Sequence, residues 1–145
     1  MKKIFSKVKG LVITGGLSIA LLGFFAPQAH ADGFYSFATE DGAWDGYLTP
    51  TTSYVHGQVK LLSLSKVNRS NNVAERYYSP APLSIRLCKS SYNCTLWKSF
   101  QLNDAGEYTA LFYDLTPGVT YKVDIRDSWS NYYFKGKIYA SRVRW

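Results

Sequence analysis

The sequence predicts an all-β fold, a single small antiparallel β-sandwich of about seven strands with one disulfide. Apolar and polar residues alternate with a period of two in several segments, as a half-buried strand requires. Turn-forming residues separate these segments at regular spacing, and no window shows a helical period. All 12 tyrosines and all four tryptophans follow residue 31, and both residue types favour strands.

The first 31 residues have the pattern of a secretory signal peptide. Four lysines lie within the first nine residues, an apolar run follows, and Ala29-His30-Ala31 provides a cleavage site after Ala31. The alternative, a retained membrane anchor, is disfavoured because the apolar run is interrupted and falls short of the roughly 20 residues of a spanning helix. Residues 32–145 are therefore expected to form one secreted, extracellular domain with no membrane span.

Cleavage changes the charge balance of the protein. Residues 32–145 keep 13 basic against 10 acidic residues, so the net charge falls from +7 to +3. A mild surplus suits anionic cell-wall or membrane surfaces, although it is also ordinary for a soluble domain. Since no Lys/Arg cluster persists on any one segment, nucleic acid is not an expected partner.

The first half of the domain predicts an edge strand, a loop and a long strand. Short strands are expected over residues 34–38 and near Tyr47, in a segment rich in turn formers. Residues 53–67 predict a longer strand, but its apolar residues change parity between Leu61 and Leu62. Such a change indicates a β-bulge or a bend between two sheets.

The second half continues the same pattern. A polar loop is expected over residues 68–78, and residues 83–87 alternate cleanly as a strand. Residues 95–102 predict a further strand, because Leu96, Phe100 and Leu102 share one parity. After a turn, residues 132–143 predict the last strand.

Cys88 and Cys94 are expected to form a structural disulfide. They are the only cysteines, and an exported chain meets an oxidising compartment. The bond would close the short loop 89–93 and contribute roughly 2–3 kcal/mol in the chain-entropy account. A metal site is disfavoured because two thiols and His56 fall short of a tetrahedral ligand set, and the spacing is not that of a redox pair.

Residues 106–125 give the clearest pattern in the chain. They predict a strand, a tight turn and a second strand in a hairpin-like arrangement. From residue 119 to residue 125, apolar side chains alternate with polar ones. Pro117-Gly118 combines a fixed φ with a residue that tolerates positive φ, as a type II turn requires.

Within this stretch, residues 115–125 (LTPGVTYKVDI) resemble the Leu-x-Pro-Gly-x-x-Tyr-x-Val-x-Val pattern of fibronectin type III domains, an immunoglobulin-like β-sandwich family. The resemblance implies that Tyr121 packs inward and uses its hydroxyl on nearby backbone. It covers 11 residues. The early-strand tryptophan pattern of the family is missing, and a disulfide at 88–94 is not part of its framework. The resemblance therefore implies an architecture and no activity.

No residue pattern indicates catalysis or a bound cofactor. His56 is the sole histidine after residue 31, and a lone strand histidine without a nucleophile elbow is usually structural. The carboxylates mostly occupy turns rather than forming a glycosidase pair. Glu40, Asp41 and Asp45 could ligate calcium, but they do not have EF-hand spacing, and Asp-Gly turns form without metal. Phosphate-cradling glycine motifs are missing.

Large aromatic residues near turns are the candidates for ligand binding. The candidate residues are Trp44, Tyr47, Trp129, Tyr132, Tyr133 and Lys135. Aromatic rings beside basic groups can stack on sugar rings or anchor a protein interface, and the alternative is that they cap the ends of the core.

These observations favour a secreted, non-enzymatic binding module that recognises a cell-surface, glycan or protein ligand. The alternative is a small secreted effector, such as a protease inhibitor, an antimicrobial or a competition protein. Such an effector would present the disulfide-closed tip 89–93 as a rigid loop. An enzyme ranks third.

Overall fold

The computed structural model describes residues 32–144, and their regular structure is all β. The expected signal peptide over residues 1–31, and Trp145, lie outside the described residues. None of the described residues forms a helix long and apolar enough to cross a membrane. The strands are β1 (Gly33–Ala38), β2 (Gly46–Leu48), β3 (His56–Asn68), β4 (Ala74–Arg76), β5 (Leu83–Ser90), β6 (Asn93–Cys94), β7 (Gln101–Leu102), β8 (Tyr108–Phe112), β9 (Tyr121–Asp127) and β10 (Tyr132–Val143).

These strands form two antiparallel sheets. The first has the order β1-β10-β3-β8-β7, with β4 also paired to β3, and the second has the order β2-β9-β5-β6. The expectation of about seven strands is wrong, since the described residues contain ten. The additional strands β4, β6 and β7 have only two or three residues, too few to show alternation in a sequence.

The two sheets share one apolar core. Its strand residues are Phe37, Val59, Leu64, Ala110, Phe112, Phe134, Ile138 and Ala140 from the six-stranded sheet and Leu48, Leu83, Ile85, Leu87, Tyr121, Val123 and Ile125 from the four-stranded sheet. Because these residues alternate with polar ones, each sheet presents an outer face that points away from the core. Four of the six candidate residues lie on or beside these outer faces, and Trp129 and Tyr132 lie at one end of the core.

The predicted bulge is confirmed in β3. Lys137 pairs with Ser63 and the next residue, Ile138, pairs with Leu61, so Leu62 is an extra residue on β3. The bulge keeps Val59 and Leu64 in the core on either side of the register change while Leu62 is exposed.

The predicted turn and the inward tyrosine are also confirmed. Gly118 has a φ of 76°, and the Val119 N–H donates to the Thr116 carbonyl at 3.3 Å. Tyr121 is 4% exposed, and its hydroxyl accepts the Thr116 N–H at 3.0 Å. The hairpin-like arrangement is wrong, because β8 belongs to the six-stranded sheet and β9 to the four-stranded one. The turn therefore carries the chain from one sheet to the other.

The disulfide joins Cys88 and Cys94, which face each other across β5 and β6 with their Cα atoms 3.9 Å apart. It is compatible with an extracellular location. The strand expected over residues 95–102 is wrong apart from Gln101–Leu102. This segment bonds to β5 through Thr95, at Leu87, and through an isolated bridge between Lys98 and Ile85 before it joins the other sheet, and Leu96 is 86% exposed. The alternate spacing of the apolar residues in 95–102 therefore does not indicate a buried face.

Candidate functional site

The outer face of the four-stranded sheet carries a row of charged side chains on β9. Lys122, Asp124 and Arg126 alternate with the buried Val123 and Ile125, so all three point away from the core. Because β9 is flanked by β2 and β5, this row lies in the middle of the face. Strand pairing therefore fixes the position of each charge.

On the β5 side of this row, two guanidinium groups lie against Trp97. The central carbon of the Arg86 guanidinium is 4.3 Å from the Trp97 ring centroid, and that of Arg126 is 4.0 Å away. Arg86 also donates from Nε to Asp124 Oδ2 at 2.7 Å. The acid therefore balances Arg86, while Arg126 has no acidic partner among residues 32–144.

On the β2 side, Trp44 and Tyr47 flank Lys122. The Lys122 Nζ lies 5.0 Å from the Trp44 ring centroid, and Lys122 pairs with Tyr47 across β9 and β2. A cavity of about 210 Å³ opens beside Trp44 and is also lined by Asp41 and Asp124. Strands β9 and β5 lie between β2, which follows Trp44, and the segment that carries Trp97, and each indole contacts a cation of the β9 row.

We call Trp44, Tyr47, Arg86, Trp97, Lys122, Asp124 and Arg126 the aromatic–cationic face. Its three aromatic side chains are each partly exposed, and its three cations outnumber its one acid. An extended ligand that crosses the strands would meet aromatic, charged and again aromatic groups in turn.

A buried carboxyl supports the loop that carries Trp44. Asp45 is 4% exposed, its Oδ2 accepts the Ile125 N–H at 2.7 Å, and its own N–H donates to the Val123 carbonyl at 2.9 Å. Burial raises the pKa of this carboxyl to about 7 against the lowering effect of the Ile125 N–H, and the charges of Asp41 and Asp124 add to the rise. These bonds fix the backbone beside Trp44 against β9.

Trp129 and Tyr132 lie elsewhere, at one end of the core. The Trp129 ring centroid is 5.8 Å from those of Tyr77 and Tyr132 and 5.5 Å from that of the fully buried Phe134. The Lys66 Nζ lies 4.7 Å from the Tyr132 ring centroid. This cluster closes the end of the core between the two sheets.

Tyr133 and Lys135 occupy a third place, the outer face of the six-stranded sheet. Both alternate with the buried Phe134 on β10, and Lys135 pairs with Ala38 on one side and Ser65 on the other. The six candidate residues are therefore divided among three regions. The structure brings together only Trp44 with Tyr47, Trp129 with Tyr132, and Tyr133 with Lys135.

The other residues considered for chemistry have local partners. The His56 Nδ1 accepts the Asp114 N–H at 3.1 Å, and its ring packs edge-on against Tyr113. Glu40 forms an ion pair with Arg69, and the Asp41 Oδ1 accepts the Ala43 N–H at 2.9 Å. Within the described residues, no three His, Cys, Asp or Glu side chains come together as a metal site.

The sequence interpretation missed Trp97, Arg86, Lys122 and Arg126. Lys122 and Arg86 are the polar residues of two predicted alternating strands, so their outward direction could have been inferred. Trp97 could not be placed, because its segment is irregular and bonds to β5 only at Thr95 and at the isolated Lys98 bridge. No protein-family model, curated protein or solved structure matches this chain.

Proposed function

We propose that this protein is an exported, non-enzymatic binding module that holds an acidic glycan on the aromatic–cationic face. The observation that carries the proposal is the arrangement of Trp44 and Trp97 on either side of the row Lys122, Asp124 and Arg126. This arrangement supports a ligand that combines rings bearing an apolar face with negative charge.

Each part of such a ligand has a counterpart on the face. Indole and phenol rings present broad apolar surfaces on which the apolar side of a sugar ring can stack. Guanidinium groups bind carboxylates through paired hydrogen bonds, and lysine adds a mobile positive charge. Since Asp124 already binds Arg86, Arg126 and Lys122 remain for the ligand.

Export and the lack of an enzymatic role rest on the sequence. The lysine-rich start, the apolar run and Ala29-His30-Ala31 have the form of a signal peptide. The disulfide fits an oxidising compartment. The proposal assigns no catalysis because the domain has a single histidine, and its Nδ1 accepts a backbone N–H.

Affinity electrophoresis of the purified protein tests this function. Gels containing polygalacturonate or alginate should retard the protein, whereas gels containing neutral dextran should not. Trp97→Ala should weaken binding roughly 30-fold, since a central aromatic anchor contributes about 2 kcal/mol. Arg126→Gln should weaken binding and reduce its sensitivity to salt, because exposed charges are screened.

Tyr92→Ala is the matched control, since Tyr92 is 99% exposed and lies outside the face. It should bind like the wild type. Equal retardation by acidic and neutral polymers, or wild-type affinity in a Trp97→Ala protein with an unchanged melting temperature, would contradict the proposal.

One observation favours the second candidate, a secreted effector. Tyr92 lies at the tip of the disulfide-closed hairpin with its side chain almost fully exposed, as a presented inhibitory residue would be. Protease-inhibition and growth-inhibition assays test this candidate. It predicts that Tyr92→Ala abolishes inhibition and that Trp97→Ala does not, which is the reverse of the result expected for glycan binding.

A further inference from the structure

The outer face of the six-stranded sheet holds a depression lined by hydroxyls and lysines. Lys137 on β10 is flanked by Ser36 on β1 and Ser63 on β3, and Lys135 is flanked by Ala38 and Ser65. The small flanking residues leave a cavity of about 380 Å³ around the two lysines. This volume is within the range of small-molecule sites.

The bulge and a glycine shape this depression. Because Leu62 is an extra residue, Leu64 turns into the core and Ser63 faces outward beside Lys137. Gly136 allows the strands to approach, since a Cβ at this position would overlap the Ser63 carbonyl oxygen. The same irregularity that preserves the core therefore creates the recess.

The two lysines are unusual in their lack of partners. Five Lys or Arg side chains form ion pairs within residues 32–144, but neither Lys135 nor Lys137 forms one or lies over an aromatic ring. As alternate residues of one strand they point to the same side, so their charges repel each other. Asp41 also lines the cavity, where its Oδ1 accepts the Ala43 N–H. An anion between the lysines would relieve their repulsion.

The serines supply the directional donors that an oxyanion requires. In the described part of the chain, the hydroxyls of Ser36, Ser63 and Ser65 have no protein hydrogen-bond partner. Three hydroxyls and two ammonium groups around one recess suit the several acceptor oxygens of a phosphate group.

An exposed aromatic pair lies directly beside the recess. Phe34 is 75% exposed, and its ring centroid is 4.7 Å from that of Tyr139. Phe34 lies two residues before Ser36 on β1, and its partner Tyr139 lies two residues after Lys137 on β10. It offers an apolar contact to whatever organic group carries the phosphate.

We propose that this depression binds the phosphate group of a phosphate ester, with Lys135 and Lys137 as its cations and Phe34 and Tyr139 beside the organic part. This depression belongs to the six-stranded sheet and the aromatic–cationic face to the four-stranded sheet, although Asp41 lines both this depression and the cavity beside Trp44, and the proposal does not depend on glycan binding. The ester could be a soluble molecule or a lipid headgroup, which share this chemistry.

Nuclear magnetic resonance titration of the 15N-labelled protein with glycerol 3-phosphate tests the soluble ester. We expect saturable shifts confined to the amides near Ser36, Ser63 and residues 135–137. Lys135→Gln/Lys137→Gln should reduce affinity at least tenfold. Phe34→Ser should weaken binding of the ester severalfold and leave binding of inorganic phosphate unchanged.

The control is Lys89→Gln/Arg144→Gln, which removes the same charge from exposed positions elsewhere. Co-sedimentation with phosphatidylglycerol vesicles tests a lipid as the source of the phosphate ester. Vesicle binding that requires both lysines and Phe34 would identify a lipid headgroup as the ligand. Shifts spread over all surface lysines, or equal loss of binding in the control and the Lys135/Lys137 variant, would overturn the proposal. Trp97→Ala, which tests glycan binding, should leave the affinity for glycerol 3-phosphate unchanged, so the two proposals can fail separately.

Discussion

The buried carboxyl of Asp45 links the Trp44 loop to the centre of the four-stranded sheet. Its Oδ2 bonds to the Ile125 N–H, and burial raises its pKa to about 7. In the unfolded chain this group has an ordinary pKa of about 3.9. Well below pH 4 the carboxyl is protonated in both states. Between pH 4 and 7 only the unfolded chain ionises, so folding stability falls as the pH rises.

We therefore predict that Asp45→Asn flattens the pH dependence of stability. Going from pH 4.5 to pH 8, the wild type should lose about 3 kcal/mol more unfolding free energy than the variant. Urea unfolding at the two pH values measures this difference directly. Asp104→Asn, in the turn after β7, should keep the wild-type pH dependence. A parallel pH dependence for Asp45→Asn and the wild type would show that folding does not raise the pKa of Asp45, and would contradict this prediction.

The pairing of β3 with β10 is the element that most depends on local irregularity. The extra residue Leu62 shifts the register, and a Cβ on Gly136 would overlap the carbonyl oxygen of Ser63 on the bulged strand. Without the bulge, the apolar residues before and after Leu62 could not all face one core.

We predict that Gly136→Ala lowers the free energy of unfolding by about 1–3 kcal/mol, because the new methyl group overlaps a backbone carbonyl that cannot rotate away. Gly33→Ala, also in a strand of this sheet, should cost less, since its nearest neighbours are atoms of the Tyr35 side chain. Chemical denaturation of both variants provides the comparison. Equal losses of unfolding free energy in Gly136→Ala and Gly33→Ala would contradict this prediction, because they would show that the backbone overlap at Gly136 is easily relieved.

The long alternating strands, the β3 bulge, the Pro117-Gly118 turn and the disulfide could be predicted from the sequence, because each depends on neighbouring residues. The strands of two or three residues could not, since their pairing is determined by partners far along the chain. For the same reason the sequence did not place β8 and β9 in different sheets. It identified Trp44 and Tyr47 as candidates but missed Trp97, which reaches the face through an irregular segment.

Across the whole molecule, the shared core separates two outer faces with different chemistry. One combines Trp44 and Trp97 with arginine and lysine, and the other combines Lys135 and Lys137 with serine hydroxyls. Trp129 belongs to neither face, because it packs against Phe134 at the end of the core. Trp44 and Trp129, which the sequence grouped as candidates, are therefore proposed to have different roles, and Trp97 joins Trp44 in the proposed binding face.

The indole N–H signals of the 15N-labelled protein test the central claim most directly. On addition of an oligogalacturonate, the signals of Trp44 and Trp97 should shift together and saturate at one affinity. The Trp129 signal should stay in place. A shift of Trp129 without Trp44 and Trp97 would place the ligand at the end of the core and contradict the proposed binding face.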